Sequence, residues 1–189
     1  TELKFLKAQL NPHFLFNTLN NLYAQVITRS GKAPAMILQL SGILDYVLYQ
    51  SQQKAVPLAE EVAVIKDFIA IEAIRYGARL KVEFSVAGSL TIAVPPLLFL
   101  SLVENAFKHG VSKGIDGARV KIEIREHRGE VSCKVWNTKS DFQPVRRDDH
   151  RKGLGLSNVK RQLTISHPDA HSLQIAEEAT AFCVTVVIK

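Results

Sequence analysis

The block Asn11-Pro12-His13-Phe14-Leu15-Phe16-Asn17-Thr18-Leu19-Asn20 holds the side chain best suited to nucleophilic chemistry, the His13 imidazole. Neutral imidazole attacks well near pH 7 because its ordinary pKa is about 6.5. At helical spacing Gln9, His13, Asn17 and Asn20 share a polar stripe, while Leu15, Leu19, Leu22 and Val26 share an apolar one. Such a helix buries its leucines against partner helices and leaves His13 reachable. Pro12 lacks a backbone donor. It either kinks a helix by freeing the carbonyl of Ala8, or opens a fresh helix capped by Asn11. A helix start here would disfavour imidazolium and welcome an added phosphoryl group. Taken alone, the block is no more than a helix start with a surface histidine.

A second group of polar residues lies downstream, in Leu102-Val103-Glu104-Asn105-Ala106-Phe107-Lys108-His109-Gly110. Leu97, Leu100, Val103 and Phe107 give this helix a buried face, and Ser101, Asn105, Lys108 and His109 give it a polar one. Asn, Lys and His together suit a nucleoside triphosphate. An Asn oxygen and phosphate oxygens are hard ligands for Mg²⁺, Lys108 offers a point charge, and His109 can donate to a phosphate or ribose oxygen. The third group is Lys152-Gly153-Leu154-Gly155-Leu156-Ser157-Asn158-Val159. Glycines at a helix mouth let backbone N–H groups approach phosphates. No Walker loop is present. A basic run with Arg146, Arg147, Arg151 and Lys152 feeds this helix start and reads as a lid.

Periodicity supplies the elements that must position these groups. Residues 3–28 read as one long or kinked helix, Gly31 to Pro34 as a break, and 35–50 as a second helix with Ile37, Leu40, Leu44 and Val47 in heptad spacing. A hairpin of two such helices cannot cover both apolar seams, so pairing with a second copy into a four-helix bundle completes it. The domain boundary falls at Val56-Pro57, giving a hairpin domain, 1–56, and a second domain, 57–189. Within the latter, 58–76 is a helix stopped by Gly77, with Val62, Ile65, Phe68, Ile69 and Glu72 to Ile74 on or near one face. A strand through Leu80, Val82, Phe84 and Val86 follows. Then come helix 97–109, a hairpin of Val120/Ile122/Ile124 and Val131/Cys133/Val135 turning at Arg128-Gly129, a charged loop 138–152, helix 154–166 and a closing strand pair. The fold class is α+β: a helical hairpin followed by a two-layer α/β sandwich.

Bulk composition sets bounds. The chain has 189 residues, 47% hydrophobic and 22% charged, which is ordinary for a globular protein. The net charge of +6 permits contact with phosphates, but no basic run interleaved with aromatics argues for nucleic acid. Cys133 and Cys183 sit in apolar strand patterns and read as buried thiols, which suits a reducing cytoplasm. The chain opens at Thr1 without a signal-peptide pattern, as an excised fragment would. The apolar run Leu90 to Val103 is too short, and too broken by Pro95-Pro96, to span a bilayer.

Glu104-Asn105-Ala106-Phe107-Lys108-His109-Gly110 and Gly153-Leu154-Gly155-Leu156-Ser157-Asn158 resemble the N box and second glycine box of the GHKL (Bergerat) ATP-binding fold. The block around His13 resembles the phosphoacceptor signature of LytS/YehU-type sensor histidine kinases. The resemblance spans nearly the whole chain in the family's order. It implies an ATP-dependent, autophosphorylating kinase of a two-component system, dimeric through its N-terminal helices. In that family His13 takes the γ-phosphoryl group and passes it to an aspartate on a response-regulator receiver domain. Asn105 binds Mg²⁺, and Glu104 orients the metal shell or the reacting centre. Lys108 and His109 approach phosphates. Arg151, Lys152, Gly153, Leu154, Gly155 and Leu156 frame the triphosphate. Asn17, four residues after His13, stands where many histidine kinases position a hydrolytic water. The resemblance also implies a membrane sensor region upstream, with this part on the cytoplasmic side.

Two departures from the family matter. The GHKL adenine box, Asp-x-Gly-x-Gly, is matched by Val135-Trp136-Asn137-Thr138-Lys139, so Asn137 keeps an acceptor oxygen without the charge and both glycines are missing. Phe14 stands where most histidine kinases carry an acid, which leaves the base for His13 unassigned. Two rivals share the nucleotide site. One is a GHKL ATPase clamp, which gives no reason for the His13 block; the other is a non-catalytic signalling scaffold, for which the weakened adenine box leaves room. If adenine is read at Asn137, Asn137→Leu weakens ATP binding in calorimetry, and an unchanged affinity removes that assignment.

Overall fold

The computed structural model describes residues 12–111, 117–139 and 154–189, with side chains from Phe14 onward in the first helix and from Leu156 onward in the last. Helix α1 spans Pro12–Ile27 and α2 spans Ala33–Leu48. The predicted extension of α1 back to residue 3, and most of the charged loop 138–152, lie outside the described residues. The break between the helices holds Arg29 and Gly31 at positive φ, and Pro34 sits in the first turn of α2, where its missing N–H costs nothing.

After a 3₁₀ turn at Gln50–Gln52, the short strand β1 (Val56–Pro57) pairs antiparallel with β3 (Ala93–Val94). Between them lie α3 (Leu58–Tyr76) and β2 (Leu80–Ala87). Helix α3 starts where predicted, and its first amides are satisfied from outside. Leu58 N–H donates to the Ile92 carbonyl (2.8 Å) and Ala59 N–H to that of Leu90 (2.9 Å). It ends at Gly77, whose φ of 57° suits glycine.

Helix α4 (Leu98–Gly110) leads to β4 (Ala118–His127) and β5 (Glu130–Thr138), joined by Arg128 and Gly129, both at positive φ. That is the two-residue turn whose twist matches a hairpin. Helix α5 (Leu154–Ser166), β6 (His171–Glu177) and β7 (Ala181–Ile188) complete the chain. The five-stranded sheet runs β2-β4-β5-β7-β6, parallel between β2 and β4 and antiparallel elsewhere. Val120, Ile122 and Ile124 of β4, Val131, Cys133 and Val135 of β5, and Val184, Val186 and Ile188 of β7 bury one face under α3, α4 and α5. The two-layer sandwich is therefore as expected. Cys133 is a buried free thiol and Cys183 a half-buried one.

The hairpin's seam differs from the heptad reading. In α2 the buried residues are Met36, Leu40, Ile43, Tyr46 and Val47, whereas Ile37 is exposed. In α1 Phe14 and Thr18 are buried, while Leu19 and Val26, on the stripe expected to meet partner helices, are exposed in the single chain. The cause is α3, which packs along α2 and touches α1, so the covered face turns toward the sandwich. Phe14 of α1 stacks on Phe68 of α3 with centroids 4.9 Å apart, and Phe68 meets Phe107 of α4 edge-on at 5.3 Å.

Phe68 is thus the middle of three rings that tie three helices together. Phe68→Ala is expected to cost about 3–5 kcal/mol of stability; a loss below ~1 kcal/mol in urea unfolding would mean the rings do not pack as described.

Candidate functional site

Helix α4 presents the site because its opposite face is anchored so firmly. Phe99, Leu102, Val103, Ala106 and Phe107 are buried against the sheet and neighbouring helices. Glu104 and Asn105 are left half-buried, and Lys108 and His109 exposed, one turn apart on the polar side. The predicted helix of 97–109 lies one residue further on, since Leu97 takes a left-handed conformation (φ 62°) as the cap. Asn105 Nδ2 donates to the Ser101 carbonyl at 2.8 Å. That bond orients the amide so that Oδ1 is the atom available to a hard cation.

The head of α4 is capped from another helix, a contact that local sequence cannot reveal. Glu61 of α3 is fully buried and accepts from the backbone N–H groups of Leu97 (3.0 Å), Phe99 (2.9 Å) and Leu100 (2.9 Å), and from the Tyr46 hydroxyl. Burial pushes the Glu61 carboxyl up from its ordinary value, against the pull of these four donors. A signal was present: Glu61 falls on the helical stripe of Leu58, Val62 and Ile65, where an apolar residue is expected.

Asn137 occupies the inner face of β5 at the strand's end and is only 2% exposed. Its Nδ2 donates to the Thr138 carbonyl (2.8 Å). It packs directly under Gly110, the last residue of α4, where an added Cβ would come within 2.6 Å of the Asn137 Cβ and Nδ2. The fold thus brings Asn137 beside the C-terminal end of the helix that carries Asn105, Lys108 and His109. Helix α5 lies alongside α4, with Val159 and Leu163 buried, and Gln162 Nε2 donates to the Pro96 carbonyl at 2.7 Å. Leu156 is half-buried on its first turn. Arg151, Lys152 and Gly153 lie outside the described residues. Leu154 and Gly155 are described only as the helix start and His13 only as backbone of α1, with Asn17 half-buried one turn on.

A buried ion pair that the sequence reading did not single out lies near Glu104. Glu72 of α3 is 3% exposed and pairs with Arg75 at 3.3 Å, and the Arg75 guanidinium lies 4.9 Å from the Tyr76 ring centroid. Burial pushes the Glu72 carboxyl up, Arg75 pulls it down, and the Glu104 charge pushes it up again. Among the described residues no group of three or more His, Cys, Asp or Glu gathers as a metal site. A divalent cation here would therefore be held with the help of phosphate oxygens rather than by a protein cage.

Sheet and helices together define a two-layer α/β sandwich, with the polar face of α4 at its surface, joined to a helical hairpin that carries His13. The histidine kinase family matches residues 1–80. The sensor histidine kinase BtsS of Escherichia coli K12 is 31% identical over 96% of this chain and 32% of its own length. The sensor protein LytS of Bacillus cereus is 31% identical over 86% of this chain and 29% of its own. The histidine kinase domain of the blue-light activated kinase from Erythrobacter litoralis superposes with a TM-score of 0.53 at 17% identity, covering 94% of this chain and 95% of that domain. The chain belongs to the LytS-type sensor histidine kinase family, and it spans about a third of the length of these curated relatives.

Gly110→Ala should force Asn137 aside. The expected outcome is a loss of about 1–3 kcal/mol of stability together with weaker binding of a non-hydrolysable ATP analogue. Wild-type values for both would remove the close approach of α4 to β5.

Proposed function

We propose that this chain is the catalytic core of an ATP-dependent, autophosphorylating histidine kinase, with His13 as phosphoacceptor. The observation that carries the reading is the polar side of α4, with Asn105, Lys108 and His109, ending over Asn137 while Phe14, next to His13, packs onto the same sandwich. These residues fit MgATP. Asn105 Oδ1 is a hard oxygen for Mg²⁺, Lys108 and His109 offer donors to phosphate, and Asn137 offers its amide to adenine. ATP supplies the phosphoryl group and Mg²⁺ neutralises charge on it. An imidazole nitrogen of His13 forms the N–P bond as the bond from the γ-phosphorus to the ADP oxygen breaks, and the imidazole proton passes to solvent. The protein's contribution is positioning and charge neutralisation, as in phosphoryl transfer generally.

The same reading gives the hairpin its partner. Phe16, Leu19, Tyr23, Val26, Ile27 and Leu38 are exposed in the single chain, and a second copy would cover them in a four-helix bundle. The phosphate then moves to a receiver-domain aspartate. Among the described residues no helix is long and apolar enough to cross a membrane, so a membrane sensor would be supplied by the remaining length of the whole protein.

Incubation with γ-labelled ATP and Mg²⁺ is expected to leave acid-labile, alkali-stable label on wild type and none on His13→Gln. Free phosphate without retained label would point to an ATPase clamp instead.

A further inference from the structure

A second path joins the hairpin to α4, besides the stacked phenylalanines. Tyr46 of α2 is 5% exposed and donates its hydroxyl to Glu61 Oε2. The same carboxylate holds the amides of Leu97, Phe99 and Leu100 at the head of α4. Among the described residues no Lys, Arg or His lies within ion-pair distance of Glu61, and the Tyr46 hydroxyl is its one side-chain donor. A buried carboxylate cannot give up a donor cheaply. When α2 moves, therefore, the carboxylate either follows Tyr46 or leaves it, and the α4 amides feel either outcome. Burial and the Glu61 charge both push the Tyr46 hydroxyl up, so it stays protonated and remains a donor at any physiological pH.

We propose that Tyr46 is a positioning residue for phosphoryl transfer: through Glu61 it sets the pose of α4, and with it Asn105, Lys108 and His109, according to the attitude of the hairpin. The proposal rests on the kinase reading above. It assigns to the hairpin a part in ordering the nucleotide helix as well as in carrying the acceptor. Helix α4 is suited to this, because one rigid element runs from the capped amides to the polar residues at its far end. An attitude change at the head is carried along the rod toward Asn105 and His109, to the extent that the buried Leu102, Val103 and Ala106 shift against their neighbours.

Tyr46→Phe in the full 189-residue chain keeps the ring and removes only the hydroxyl. Label incorporation at saturating ATP is expected to fall about tenfold, while the Kd for a non-hydrolysable ATP analogue stays within about twofold of wild type. In nucleotide-free protein, amide hydrogen exchange is expected to quicken selectively across α4, with β5 and β7 unchanged. A wild-type rate, equal losses in rate and affinity, unchanged exchange in α4, or exchange quickened uniformly through the sheet would each overturn the proposal. The exchange measurement needs neither ATP nor phosphorylation. If wild type retains no label, the kinase reading fails, and exchange still decides whether Tyr46 controls α4.

Discussion

A carboxylate with no counter-ion among the described residues, sealed under the head of a helix, sets the arrangement of everything around it. Taking such a group out of water costs several kcal/mol even after relaxation. Hydrogen bonds to a charged group return roughly 1.5–3 kcal/mol each, and among the described residues Glu61 has four donors, the amides of Leu97, Phe99 and Leu100 and the Tyr46 hydroxyl. The positive end of α4 adds to the balance. Leu97 contributes as well, because its left-handed backbone, a cost of about 1–2 kcal/mol for a residue with a Cβ, turns the chain so that amides on both sides of it face one carboxylate. Remove the acid and α4 begins with orphaned amides inside the protein. Remove the amides and the acid is unsupported. The two segments therefore specify each other, and the polar face of α4 inherits its direction from that agreement.

The sheet fixes the other wall by its alternation alone. Trp136 and Asn137 are neighbours in sequence but face opposite sides of β5, since successive side chains alternate. Trp136 pairs with Lys121 across the outer face, where Lys121 bridges Glu83 at 2.9 Å and a shallow concavity of about 380 Å³ is lined by Arg119, Lys121, Glu123, Lys134 and Trp136. Asn137 instead points inward beneath Gly110. A slip of one residue would put the indole where the amide belongs. The paired register of β5 with β4 and β7 over its whole length prevents that slip. It is the reason one modest amide lies buried beneath the end of α4.

Local periodicity made the elements legible, and distance along the chain hid the contacts that aim them. The alternation of Leu80, Val82, Phe84 and Val86, the Arg128-Gly129 turn, the Gly77 stop and helix 154–166 all follow from signals a few residues wide. The polar face of α4 was legible for the same reason, although its start was placed one residue early because nothing nearby announces a cap supplied from Glu61. In the hairpin, heptad spacing identified two helices but chose Ile37 and Leu44 over Met36 and Ile43, because the pattern cannot say which neighbour covers which flank. Once α3 is packed against α2, the covered stripe is the one containing Met36, Leu40, Ile43 and Val47. Glu72 shows the same limit. Spacing puts it on a helix face three residues from Arg75, and only the fold sets that face near Glu104.

Phe14 shows how packing constrains the chemistry open to the neighbouring His13. The position after His13 is one where most histidine kinases carry an acid able to draw off the imidazole proton. Here that position is 9% exposed and its ring lies against Phe68, which in turn lies against Phe107 of α4. A carboxylate there would be desolvated among aromatic rings, with the Thr18 hydroxyl already spent on the Phe14 carbonyl, and an unpaired buried charge is what interiors exclude. The aromatic residue is therefore more than a lost acid. It makes the residue after His13 an anchor, so that position cannot serve as a base. If His13 takes a phosphoryl group as proposed, its proton goes to solvent or to a group supplied by another element, and the transfer would depend on placement of the imidazole more than on a resident base.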